Sequence, residues 1–200
     1  RSLVGSEMCI RDSLFAMDKA HSAIFQKKKA ILVEGYMDVI SAHNRGISNV
    51  VASLGTAFTP DQARLLQRQA KELILSYDMD SAGREATLRA MEIVRGLGMN
   101  IRVVSLPQGK DPDEYINTQG PEKFQEAIDN APNVLDYMLM TALQHHDETT
   151  LEGKAAITAA VMPVVAQVDN RVVLEGFLRK MAERLHISDG AVQELSLIHI

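Results

Sequence analysis

The chain has 200 residues, 46% of them hydrophobic, and a formal net charge of −5. That suffices for one domain, or a domain with a smaller appendage, around a real core, and the negative balance excludes a surface that holds nucleic acid by phosphate neutralisation alone. No apolar run approaches the ~20 residues of a membrane span and no signal-peptide pattern is present, so the cytoplasm is the expected location.

Taken in chain order, Cys9 is the only cysteine, which excludes internal disulfides and cysteine-rich zinc sites. Met8-Cys9-Ile10-Arg11-Asp12-Ser13 can be encoded by ATGTGTATAAGAGACAG plus one base, and Leu195-Ser196-Leu197-Ile198-His199-Ile200 by CTGTCTCTTATACACAT plus one base. The two strings are reverse complements and resemble a transposon end used in preparing sequencing libraries. Residues 1–13 and 196–200 are therefore expected to be adaptor scars at truncated ends and are set aside from fold reasoning.

Leu14 to Gln26 reads as a short helix with Phe15, Ala20 and Ile24 available to pack, followed by the basic triplet Lys27-Lys28-Lys29, a solvated loop rather than a phosphate site. Ala30 to Val33 is a buried strand running into Glu34-Gly35-Tyr36-Met37-Asp38, with helix to about Asn44 and a stop at Gly46. Asn49 to Ser53 is a second strand and Leu54-Gly55-Thr56 a turn. Thr59-Pro60-Asp61-Gln62 starts a helix: Thr59 caps, Pro60 suits the first position and Gln62 completes a capping box.

Leu73 to Tyr77 is the third strand. A helix from about Ala82 to Leu97 and a fourth strand from Ile101 to Leu106 follow. Asp111 can cap another helix, with Pro112 first and Glu114 three residues after the cap. Alternating strands and helices predict an α/β fold with a mostly parallel four-stranded sheet. After Tyr115 strand signals vanish, and Pro121 to Asp129, Pro132 to Gln144, Thr150 to Gln167, Arg171 to Leu185 and Ser188 onward read as helices, a small all-α unit with a boundary near Asn130. Thr149-Thr150-Leu151-Glu152 reads as a capping box, and Pro163 is expected to kink or interrupt its helix.

Three acidic groups fall after strand ends: Glu34 with Asp38, Asp78 with Asp80, and Asp111 with Asp113. Asp78 and Asp80, two residues apart, point to the same side and repel each other unless a cation occupies the gap. An Asp after a strand is often only a helix cap, yet carboxylates from separate strands can converge on one sheet edge. All-oxygen ligands suit Mg²⁺ or Mn²⁺ rather than zinc. Two such ions, typically ~3.5–4 Å apart, serve phosphoryl or nucleotidyl transfer. Gly83 and Arg84 open the next helix, where backbone donors and a guanidinium can meet an anion; a surface salt bridge is the alternative for Arg84.

Glu34-Gly35-Tyr36-Met37-Asp38, Ala52-Ser53-Leu54-Gly55-Thr56-Ala57, Tyr77-Asp78-Met79-Asp80-Ser81-Ala82-Gly83-Arg84 and Lys110-Asp111-Pro112-Asp113 resemble, in order and spacing, the toprim motifs of bacterial DnaG-type DNA primases. The likeness covers about Leu14 to Leu195. It implies a toprim catalytic domain over 14–130, a helical subdomain of the RNA polymerase core over 131–195, and a DNA-templated RNA polymerase making short primers. Family metal positions map onto Glu34, Asp78, Asp80, Asp111 and Asp113, with Asp38 an associated acid and Glu34 also a candidate for proton transfer. Met79 stands where relatives often have glycine.

The resemblance implies single-stranded DNA template, ribonucleoside triphosphates and an RNA–DNA primer duplex as partners, at the replication fork of a bacterial cytoplasm. It also implies a replicative helicase, bound through a C-terminal module expected to lie outside this chain. The family's N-terminal zinc module and basic subdomain are expected to be missing too, which leaves a fragment that binds metal but does not prime DNA by itself. Rival readings are another toprim enzyme (topoisomerase or nuclease), a haloacid-dehalogenase-like phosphatase with Asp78 as nucleophile and Asp80 as acid/base, and a non-catalytic replication scaffold. His145-His146 read as exposed, and Met138, Met140, Met162 and Met181 as core or helix-packing residues.

Overall fold

The structure, a computed structural model, describes residues 14–53, 57–77, 81–107, 111–188 and 190, without the side chains of Ser81 and Ala82. The expected scars, the Leu54–Thr56 turn, Asp78–Asp80 and Lys110 lie outside the described residues, as does most of the segment expected to be helical after Ser188. The described residues form two compact units that divide between Ala131 and Pro132.

The first unit is a four-stranded parallel sheet in the order β2-β1-β3-β4, with β1 Lys29–Val33, β2 Val50–Ala52, β3 Glu72–Ser76 and β4 Asn100–Val103. Its helices are α1 Met17–Lys27, α2 Tyr36–Asn44, α3 Pro60–Gln67, α4 Ser81–Val94, α5 Pro112–Gln119 and α6 Pro121–Asp129. Strand side chains alternate between faces. Ile31 and Val33 pack with Val39 and Ala42 of α2 and with Ile116, Phe124 and Ile128 of α5 and α6. Ala30 and Leu32 pack on the other face with Ile24 of α1, Ala63 and Leu66 of α3, and Ala90 and Val94 of α4. The fold class read from the sequence is therefore found, both faces of the sheet being covered as a parallel sheet requires.

Local chemistry explains most element ends. Thr59 Oγ1 accepts the Gln62 N–H at 3.2 Å and Gln62 Oε1 accepts the Thr59 N–H at 3.1 Å, the expected capping box. Phe15 is not helical: it bridges antiparallel to Ala52, its N–H donating to the Ala52 carbonyl at 2.8 Å. The basic triplet is exposed at Lys27 and Lys28 but is not a loop, since Lys27 ends α1 and Lys29 opens β1. Lys27 donates to Asn49 Oδ1 at 3.2 Å, Lys28 (φ 55°) lies over the Phe25 ring at 3.5 Å, and Lys29 pairs with Glu72 at 3.4 Å. Arg102 joins β4 to the end of α6, with Nε donating to the Ala131 carbonyl at 2.6 Å and a second nitrogen to that of Asp129 at 2.8 Å.

The second unit contains α7 Val134–His145, α8 Leu151–Val165 and α9 Arg171–Leu185. The cap of α8 is Thr150, one residue later than the sequence suggests: its Oγ1 accepts the Gly153 N–H at 3.0 Å, while Thr149 turns back to Asp147. Pro163 does not interrupt α8, which runs on to Val165. It removes one i−4 bond near the helix end, on an exposed face where water can reach the Ala159 carbonyl. Met138, Met162 and Met181 are buried, but Met140 is 52% exposed and lines a cavity of about 580 Å³ with Leu139 and Leu143. His145 and His146 are exposed.

Candidate functional site

β1 leads by one crossover to β2 on one side, and the chain then returns past β1 to β3 and β4 on the other. The change of direction falls between β1 and β3, and the carboxyl ends of strands at such a switch point are where open α/β sheets bind ligands. Val33 and Ser76 are register partners at this edge, so Glu34 and Tyr77 emerge side by side. Burial, helped by the neighbouring charge of Glu34, pushes the Tyr77 phenol well above its ordinary pKa. Asp78 and Asp80 follow Tyr77 directly and lie outside the described residues. Gly83 and Arg84 sit in the first turns of α4, on the sheet face opposite α2 and α5; the Gly83 carbonyl accepts the Thr87 hydroxyl at 2.9 Å.

Three other acids meet where α2 packs on α5. Asp38 is 7% exposed: Oδ2 accepts the Gly35 N–H and Oδ1 the Asp113 N–H, each at 3.1 Å. Burial is the largest influence on its pKa, raising it to about 6; the two N–H groups oppose the rise, and the charges of Asp111 and Asp113 add to it. Asp111 caps α5, its Oδ1 accepting the Glu114 N–H at 2.6 Å, so the structural role read for it is realised. Asp113 Oδ1 accepts the Ser41 hydroxyl and, at 2.9 Å, the Asn117 side-chain amide.

Asp38, Asp111 and Asp113 are thus brought together, and Glu34 is joined to them through Gly35. Among the described residues no group of three His, Cys, Asp or Glu side chains has metal-binding geometry. The donors that gather at this edge are carboxylates, which fit a hard divalent cation. Ser41, Asn117 and Tyr77 were not singled out as site residues in the sequence. The available signal was spacing: Ser41 is three residues from Asp38 and Asn117 four from Asp113, each pair on one helix face.

Residues 31–116 match a family model described as Toprim-like, and residues 135–190 one described as the DnaB-helicase binding domain of primase. A DNA primase of Clostridium acetobutylicum is 39% identical over 165 residues, covering 82% of this chain and 28% of that protein. The chain belongs to the bacterial DnaG-type primase family. It spans roughly a quarter to a third of the curated primases it matches, 28%, 26% and 30% of the first three. The Aquifex aeolicus primase structure, comprising zinc-binding and RNA polymerase domains, aligns with TM-score 0.75 and 30% identity over 100% of this chain and 46% of that one. A DnaG primase catalytic domain bound to ssDNA aligns with TM-score 0.72 and 29% identity over 91% of this chain and 59% of that one. The expectation that helicase contact belongs to a module outside this primase chain is at odds with the helicase-binding match over residues 135–190.

Proposed function

We propose that this chain carries the metal-binding edge of a DNA primase, a DNA-templated RNA polymerase that makes short RNA primers by nucleotidyl transfer. The observation that carries the reading is the pairing of Val33 with Ser76, which sets Glu34 beside Tyr77 at the switch point of a parallel sheet, Asp78 being the next residue in the sequence. Glu34, Asp78, Asp80, Asp111 and Asp113 hold Mg²⁺ or Mn²⁺, with Glu34 also the candidate for moving a proton. A pair of such ions neutralises developing phosphate charge and activates an attacking oxygen. Asp38 fixes the first turn of α5 by accepting the Asp113 N–H, and the Tyr77 phenol, a neutral group, adds no charge beside Glu34. Gly83 and Arg84 are assigned to phosphate at the start of α4.

Single-stranded DNA, ribonucleoside triphosphates and a primer duplex are the proposed partners, the first supported by the ssDNA-bound relative. A replicative helicase is proposed as a further partner on the strength of the family match over residues 135–190. The bacterial cytoplasm is the proposed place of action. Thermal unfolding with and without Mn²⁺ tests the metal site. Binding at a hundred times the dissociation constant stabilises by about 2.7 kcal/mol, so the parent chain is expected to melt several degrees higher with Mn²⁺ and Asp78→Ala/Asp80→Ala to show no such rise. An equal rise in both removes these residues as ligands, and no rise in either favours a non-catalytic scaffold.

A further inference from the structure

We infer that Ser41, assisted by Asn117, is a positioning residue that aims the Asp113 carboxylate at the metal edge. Asp38 and Ser41 are one turn apart on α2, and Asp113 and Asn117 one turn apart on α5, so two short polar ladders face each other across the α2–α5 contact. Beneath them Val39, Ala42, Tyr115 and Ile116 form apolar packing that sets the helix separation. The bonds divide the work. Asp38 Oδ1 accepts the Asp113 N–H and fixes that residue's backbone, whereas Ser41 and Asn117 both donate to the single oxygen Oδ1 of its side chain. A carboxylate whose one oxygen takes two donors has its rotation about the last side-chain bond restricted, and the direction of its second oxygen follows.

Partners that orient a ligand in this way typically account for about 10–100-fold in metal affinity. Ser41 is half-buried and sits on a different element from the acid it holds, which distinguishes it from the local Asn117 bond within α5. The inference rests on the reading of Asp113 as a metal ligand.

The experiment is Mn²⁺ titration of the whole chain, followed by calorimetry or by the paramagnetic signal of free Mn²⁺, on the parent, Ser41→Ala, Ser41→Thr and Asp113→Asn, with metal-free unfolding measured alongside. Expected are a loss of about tenfold in affinity for Ser41→Ala, recovery in Ser41→Thr because the hydroxyl is retained, and a larger loss in Asp113→Asn. If Asp113→Asn weakens binding and Ser41→Ala does not, the positioning role is overturned while the metal reading stands. If Asp113→Asn binds as tightly as the parent, both are overturned. A Ser41→Ala loss that Ser41→Thr fails to recover also overturns the role.

Discussion

Both oxygens of Asp38 accept backbone N–H groups, from Gly35 and from Asp113, and such bonds ordinarily hold a carboxylate in its charged form. Burial outweighs them, with Asp111 and Asp113 adding repulsion, and the pKa rises from 3.8 to about 6. The folded chain therefore binds this proton more tightly than the unfolded chain does. The resulting stabilisation is present in full below the unfolded pKa and is lost as pH rises through about 6. In metal-free protein, denaturant unfolding of the parent between about pH 4 and pH 7 should lose stability with a slope that Asp38→Asn lacks. Equal slopes would show that Asp38 titrates normally. The sequence marks Asp38 only as an acid near a motif. Its burial depends on a helix 75 residues away, and no local pattern reports that contact.

The same limit appears at the level of elements. The Thr59 capping box is legible because all its partners lie within four residues and each is a preferred type. The α8 cap is misplaced by one residue because Thr149 and Thr150 are both good caps, and the choice is made by Asp147, which engages Thr149 and brings its carbonyl against Gly153. A Cβ at Gly153 would collide with that backbone oxygen, so the glycine is a packing requirement at a helix position where alanine is otherwise preferred. Gly176, inside α9, has no atom within 4 Å of an added Cβ. The two alanine variants should therefore differ in sign. Gly153→Ala is expected to lose about 1–3 kcal/mol through overpacking, and Gly176→Ala to gain about 0.5–1 kcal/mol from helix propensity. Denaturant unfolding followed by helical circular dichroism measures both, and a stabilised Gly153→Ala would refute the close approach.

Across the whole molecule, the periodic hydrophobic runs were enough to read a parallel sheet followed by helices, because strand alternation and helical spacing are local and the βαβ order leaves few topologies. The meeting of α2 with α5, and the basic triplet's ties to Phe25, Asn49 and Glu72, were not readable, since they arise only once distant segments pack. Charge is legible without any structure and bears on what the chain can do alone. At −5 overall it carries 26 acidic against 21 basic residues. Some of the basic ones are already in ion pairs within the chain, several of them at the surface: Lys29 and Arg102 with Glu72, Lys180 with Asp136 and Arg184 with Glu148. Backbone-driven binding of nucleic acid releases counterions in proportion to the phosphates neutralised, and a chain of net negative charge supplies no overall positive field to gather phosphate. The 200-residue chain should therefore bind Mn²⁺ yet hold a single-stranded template weakly, with a shallow salt dependence, and make no primer from ribonucleoside triphosphates. A filter-binding salt series and a templated synthesis assay check the two halves of this expectation. Vigorous primer synthesis, or affinity that falls steeply with salt, would mean that the acidic sheet edge and the template grip reside together in this chain.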